Sequence, residues 1–406
     1  MRSRSTFRTA AALIAVGAVV LSGSTGANAV TKPKPKPVTS NFKVGIITCK
    51  TGAFAAYGDA YLAGWTAGLD YITKGTGKVG KRKIEVLDIV DDKTTDVAGA
   101  TAAFKDLVSR GAKAIIGTCN SSMAMALAPL AAANKVIYIS GPAALDDLSG
   151  VNRYTFRSGR QSQQDVKGAL AYLKNTAGEK IITFAEDYSF GYGNASAVQY
   201  FLQGTGTTVL DPVMVPITTK DVTTYAKRVK DAHADITFVA FAGFVNPWIA
   251  IAQQGLAQTT TIVTGMANYA TWDLIGSVGG ANFKFISSYF GGAGKNPIED
   301  FMLASLTKQG KRPDLMNPEG FNAALMVARL SQADTTGKDG VAKLIRSLEG
   351  YGFDSVKGKI KIRAIDHAVI QPMFLCNLVK GADGHFAPVW TKTVDAVTPS
   401  LRPMQG

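Results

Sequence analysis

From Phe42 onward the chain alternates two hydrophobic periods. Lys43 to Cys49 is a short apolar run that predicts a strand. After a turn, Lys50 to Gly58, Leu62, Trp65, Leu69 and Ile72 recur at helical spacing. Lys83 to Val90 reads as a second strand, Val97 to Ser109 as a second helix, and Ala114 to Gly117 and Val136 to Ser140 as further strands. Ala114 to Gly117 breaks at a polar turn, Thr118 to Ser122, and an apolar stripe at Met123, Leu127 and Leu130 then predicts a helix. A second series begins at Ile181–Ala185 and continues with strands at Ile236–Phe241 and Thr261–Thr264. Helices are expected between these near Asp165–Asn175, Asn194–Gln203, Tyr225–Ala232 and Pro247–Gln254. Such alternation predicts an α/β protein with two mostly parallel sheets, each flanked by helices.

Asn120, Ser121 and Ser122 suit a helix N-terminus, because their side-chain oxygens accept from unpaired backbone N–H groups. A strand-to-helix turn at the carboxyl edge of an open sheet is also where ligands bind, and the helix dipole there favours a carboxylate. The residues alone leave both readings open, a plain cap or a seat for an anionic head.

Before Phe42 the pattern differs. Arg2, Arg4 and Arg8, the apolar stretch Ala10 to Leu21 and Ala27-Asn28-Ala29 read as a cleaved signal peptide over 1–29. Residues 30–41 hold the Lys-Pro repeat Lys32 to Pro37, an extended, solvated linker in expectation. No later segment is long and apolar enough to cross a membrane, so the expected product is an exported, soluble chain in the periplasm or at the outer face of the envelope. The formal charge falls from +14 to +11 once the three leader arginines are removed. The remaining basic residues are scattered and no nucleic-acid-binding module is recognisable, so nucleic acid is not an expected partner. Roughly 365 residues beyond the linker exceed one ordinary core and predict two domains.

Catalytic motifs are not evident. Gly75-Thr-Gly-Lys-Val-Gly80 matches G-x-G-x-x-G but follows a helix and precedes a strand, the reverse of a dinucleotide site. His233, His367 and His385 lie far apart without metal-ligand neighbours. The sequence therefore predicts no enzyme, no metal and no cofactor.

Lys43-Val-Gly-Ile-Ile-Thr, Thr51 to Asp59, Asp88 to Lys93, Ala114 to Gly117, Ile139 to Ala144, Asp187 to Gly193, Gly358 to Arg363 and Asp366-His367 occur in an order and spacing that resemble the leucine/isoleucine/valine-binding proteins. These are the type I periplasmic solute-binding subunits of ABC importers. The resemblance implies two Rossmann-like, flavodoxin-like lobes joined by three hinge crossovers. Lobe 1 would comprise 42–158 plus 290–365, and lobe 2 159–289 plus 366–406. It also implies a monomer that captures a small molecule between the lobes by hinge closure and delivers it to a permease with its ATPase subunits. An extracytoplasmic sensor of the same fold is the alternative, and branched-chain amino acid binding proper a second one.

The resemblance places Tyr57, Asn120, Ser121, Ser122, Pro142, Ala143 and Ala144 at the ligand from lobe 1. From lobe 2 it places Gln161, Phe190, Phe244, Met266 and Asn268 there. Tyr57, Phe190, Phe244 and Met266 also read as ordinary packing residues. Amino-acid-binding members carry a threonine where this chain has Ala144 or Leu145. They carry an acid for the ligand ammonium where it has Met266 or Ala267, and another acidic position falls on Gln161. A buried ammonium without its carboxylate would cost several kcal/mol. The expected ligand is thus a carboxylate or amide with an apolar or aromatic body, against Phe190, Phe244, Trp248 and Met266. Cys49 and Cys119 end neighbouring strands in a flavodoxin-like order and predict a disulfide in an exported protein, leaving Cys376 in a late strand, Met373 to Val379.

Overall fold

The computed structural model describes residues 40–333 and 335–405. The signal peptide expected over 1–29, and nearly all of the 30–41 linker, lie outside the described residues.

The first sheet opens with β1 (Phe42–Thr48), α1 (Ala55–Thr73), β2 (Lys78–Val79), β3 (Arg82–Asp91) and α2 (Val97–Ser109). β4 (Ala114–Gly117), α3 (Ser121–Asn134), β5 (Ile137–Ser140) and β6 (Thr155–Arg157) complete it. Its order is β2-β3-β1-β4-β5-β6, parallel from β3 to β6. Strands buried on both faces explain the unbroken apolar runs: every residue of β4 and β5 is inaccessible. α2 and α3 cover one face through Phe104, Leu107, Met123 and Leu127. The other face packs Phe42, Ile46 and Ile116 with Tyr61 and Trp65 of α1.

The second sheet follows with α4 (Ser162–Leu173), β7 (Lys180–Asp187), α5 (Ser189–Leu202), β8 (Thr208–Val209), β9 (Val213–Pro216) and α6 (Thr223–Asp231). β10 (Ile236–Ala240), α7 (Trp248–Gln253), α8 (Leu256–Thr259), β11 (Thr261–Gly265), α9 (Trp272–Ser277) and β12 (Lys284–Ser287) continue it. β12, β11, β10 and β7 are parallel neighbours in that order. The chain then returns through α10 (Pro297–Lys308), α11 (Asn317–Gln332) and α12 (Gly340–Leu348), of which α10 and α11 pack on α1. The hairpin β13 (Gly352–Ser355) and β14 (Gly358–Ile362) leads into β15 (Val369–Lys380), which pairs antiparallel with β12 and with β16 (Phe386–Val397).

Two α/β lobes joined by three passages of the chain result. In each sheet, consecutive units leave a central strand in opposite directions, between β1 and β4 in the first and between β7 and β10 in the second. Loops splay apart at such switch points and open a crevice. Among the described residues no helix is long and apolar enough to cross a membrane.

Candidate functional site

The turn from β4 to α3 is built from backbone geometry few residues tolerate. Gly117 has φ +114° and Thr118 φ +70°, and a Cβ on Gly117 would meet the Ile47 carbonyl at 2.2 Å. This reversal delivers Asn120, whose Oδ1 accepts from the Ser122 and Met123 N–H groups at 2.8 and 3.3 Å, while its amide donates to the Thr94 carbonyl. Asn120 is therefore the cap of α3. Ser121 beside it is 2% exposed, and its hydroxyl meets no hydrogen-bond partner among the described residues. It lies in the wall of a cleft between the lobes, enclosing about 630 Å³ of unfilled space with its open mouth included.

The first lobe also gives the cleft Phe54, Tyr57, Pro142, Ala144, Leu315 and Met316. The second gives Tyr188 and Phe190 from the β7–α5 turn, Phe238 to Ala242 from the end of β10, and Thr264 to Ala267 from the end of β11. Arg160 and Asp165, at the first passage between lobes, complete the wall. Arg160 Nε donates to Asp165 Oδ1 at 3.1 Å and Nη1 to the Pro142 carbonyl at 3.4 Å. Its Nη2 donates to no acceptor among the described residues. Burial opposes the charge on Arg160, but Asp165 and Glu319 outweigh it and hold the guanidinium above its usual pKa. Burial raises Asp165 and Arg160 lowers it, leaving it above the usual carboxylate range. Asp165 is the one acid lining the cleft among the described residues, and Arg160 already engages it.

Behind this wall Lys357 Nζ donates to Gln371 Oε1 at 2.6 Å, and Glu319 accepts from the Arg160 N–H. Burial raises Glu319 and lowers Lys357, each partly offset by charged neighbours that include the other. The cleft floor is thus polar and charge-balanced, and its sides are aromatic.

Six expected site residues converge on the cleft: Tyr57, Ser121, Pro142, Ala144, Phe190 and Met266. Phe244 and Asn268 line an adjoining recess, together with Tyr57 and Trp248. Four others stand outside both. Asn120 is spent on its helix, and Ser122 Oγ meets Ser189 Oγ at 2.9 Å. Ala143 offers its carbonyl to Arg157. Gln161, fully buried, caps α4 and donates to Asp146 Oδ1 at 2.8 Å. Cys49 and Cys119 form a disulfide with Cα atoms 6.0 Å apart, because the β1–β4 register sets Ile47 opposite Gly117. Cys376 is free and buried on β15. Among the described residues no group of three His, Cys, Asp or Glu is placed to hold a metal.

Sequence reasoning missed Arg160, Asp165, Tyr188 and Phe54. A five-residue spacing between Arg160 and Asp165 would not have singled them out, since one stands before the helix and the other in its first turn. Tyr188 lies inside the Asp187 to Gly193 segment, two residues before Phe190.

Two α/β lobes with a polar and aromatic cleft between their carboxyl edges define a bilobal small-molecule-binding protein. A sequence profile of the periplasmic binding protein family matches residues 41–383, and the chain belongs to that family. It is 28% identical over 240 residues to the Leu/Ile/Val-binding protein BraC3 of Rhizobium johnstonii, covering 57% of this chain and 64% of that one. It is 22% identical over 360 residues to Leu/Ile/Val-binding protein homolog 6 of Brucella abortus, covering 85% and 89%. An ABC-type branched-chain amino acid transporter structure from Rhodopseudomonas palustris superposes with TM-score 0.75 at 29% identity, over 90% of this chain and all of that one. A solute-binding protein from the same organism, in complex with 4-hydroxybenzoate, superposes with TM-score 0.78 at 21% identity, over 88% and 98%.

Proposed function

We propose that this protein is the extracytoplasmic substrate-binding subunit of an ABC importer, and that it captures a carboxylate or amide with an apolar or aromatic body. The observation that carries the reading is the chemistry of the cleft: the Ser121 hydroxyl and Arg160 Nη2, without partners among the described residues, on a wall that is otherwise mostly apolar and aromatic. An anionic head would receive charge-assisted hydrogen bonds from Arg160 and the start of α3, worth about 1.5–3 kcal/mol each. The body would lie against Tyr57, Tyr188, Phe190 and Met266. An amino-acid ammonium has no comparable seat, since Asp165 is held by Arg160. Benzoates in fold neighbours are in keeping with this chemistry.

Binding from both sides favours the closed form, and the closed form is what a permease would recognise. A thermal-shift screen over amino acids, aromatic acids, short fatty acids and amides tests the reading. Aromatic or apolar acids are expected to raise the melting temperature, since a ligand at a hundredfold excess over its dissociation constant adds about 2.7 kcal/mol. A screen in which leucine, isoleucine or valine stabilises the protein and the acids do not would overturn the ligand class.

A further inference from the structure

We propose that the lobes carry their own latch, an aromatic cluster seeded on the Cys49–Cys119 disulfide, and that Phe244 sets ligand affinity by holding the lobes shut and not by touching the ligand. The proposal rests on the reading that the cleft closes on a small molecule.

Cys49, Phe54 and Cys119 form a buried cluster of their own, against which Tyr57, Tyr188, Ala242 and Phe244 pack. Its members come from both lobes. Phe54 and Tyr57 follow β1 and Cys119 follows β4, whereas Tyr188 follows β7 and Phe244 follows β10. The ring centroid of Phe54 lies 4.6 Å from that of Phe244 and 6.4 Å from that of Tyr188, and Tyr188 and Phe244 meet edge-on at 5.2 Å. Phe54 is 1% exposed although Thr51, Gly52 and Ala53 before it are exposed. Phe244 and Tyr188 pack against it from across the cleft.

Both halves are pre-shaped. On the first lobe the disulfide joins the loop carrying Phe54 to the turn carrying Ser121. On the second, buried Glu186 accepts from the Ala242, Gly243 and Val245 N–H groups at 2.9, 3.3 and 2.8 Å, which fixes the loop presenting Phe244. Gly243, at φ +130°, brings its backbone close to Ala53 and Phe54, whose nearest atoms would lie 3.6–3.9 Å from a Cβ there. A polar contact flanks the aromatic one: Ser122 Oγ meets Ser189 Oγ at 2.9 Å. Phe244, Asn268, Ser122 and Ser189 do not line the main cleft.

Aromatic pairs of this kind favour the state in which they meet. A ligand that binds only the closed form has an apparent affinity reduced by the fraction of molecules closed, so loosening the latch weakens every ligand by one common factor. A residue that touches the ligand would instead change the ranking of ligands.

The test compares the wild type with Phe244→Ala and with the surface variant Ser189→Ala. Small-angle scattering of ligand-free protein reads lobe closure, and calorimetry reads affinity for benzoate, 4-hydroxybenzoate and a short fatty acid. The latch predicts a larger radius of gyration for ligand-free Phe244→Ala. It also predicts affinities about tenfold weaker for all binding acids with their ratios unchanged, and a smaller change of the same kind in Ser189→Ala. Identical radii for wild type and Phe244→Ala, or a changed ratio between ligands, would overturn it. If no acid binds the wild type, the ligand class falls, while the scattering comparison still decides the latch.

Discussion

Arg160 and Ser121 show how differently two site residues announce themselves. Ser121 follows a strand and opens a helix, and its alternatives, cap or ligand seat, were visible in the local pattern; the structure gives the cap to Asn120 and leaves Ser121 facing the cleft. Arg160 has no local signature, because its position depends on the passage between lobes and on Asp165 holding its Nε. Replacing Arg160 with Met should weaken binding of a carboxylate ligand roughly 10- to 150-fold, the loss of one or more charge-assisted bonds, with Lys partly restoring it. Calorimetry on the folded variants checks this, and undiminished affinity in Arg160→Met would exclude the guanidinium as the anion's partner.

Asp146 gives a second residue-scale prediction. Burial pushes its carboxyl up to about 6, against the Gln163 N–H, Arg157 and the Gln161 amide. The folded state therefore holds this proton more tightly than the unfolded chain, whose carboxyl titrates near 4. Its contribution to stability is complete below about pH 4 and is lost as pH rises through about 6, a change of about 3 kcal/mol. Both bonds from Gln161 and Gln163 end on Oδ1, so Asn can keep them. The unfolding free energy of Asp146→Asn should fall less between pH 4 and pH 7 than that of the wild type. Equal slopes in the two proteins would contradict the assignment.

Among the elements, legibility followed burial pattern. β4, β5, β7, β10 and β11 are apolar runs bounded by turns, and α2 carries a clean stripe at Ala100, Phe104 and Leu107, so their positions were readable within a few residues. α5 begins at Ser189, five residues before the expected Asn194. Its first five residues hold Gly191 and Gly193, which weaken helical propensity. α11 was not read at all. It is buried on nearly every side, from Asn317 through Ala328, and presents no stripe. β16 escaped for the opposite reason, being mostly exposed on both faces and paired to β15 with two register shifts.

The disulfide is the element-scale feature with the largest expected effect, since it joins residues 70 apart at the ends of adjacent strands. Such cross-links typically contribute about 2–4 kcal/mol, mainly by constraining the unfolded chain. A Cys49→Ser/Cys119→Ser double variant should show that loss by denaturant unfolding. A difference within a few tenths of a kcal/mol would mean that the cross-link does not constrain the unfolded chain.

For the whole molecule, the two-lobed plan follows from repeated strand–helix alternation, while the interleaving of the lobes does not. α10 and α11 pack on α1 after the chain has already built the second sheet, and β13 and β14 extend that sheet from the return passage. No local period encodes such a return. The interlobe geometry was also out of reach. Phe244 and Asn268, expected at the ligand, line a recess beside the cleft, and the acid that does line the cleft, Asp165, is occupied by Arg160. That pairing still argues for an anionic ligand over a zwitterion.

Calorimetric titration of the ligand-free wild type with benzoate-type acids and with leucine, under one set of conditions, tests this central claim most directly. The expected result is micromolar binding of an aromatic or apolar acid, corresponding to about −8 kcal/mol, and no measurable heat with leucine. Micromolar leucine binding without binding of any acid would contradict the account.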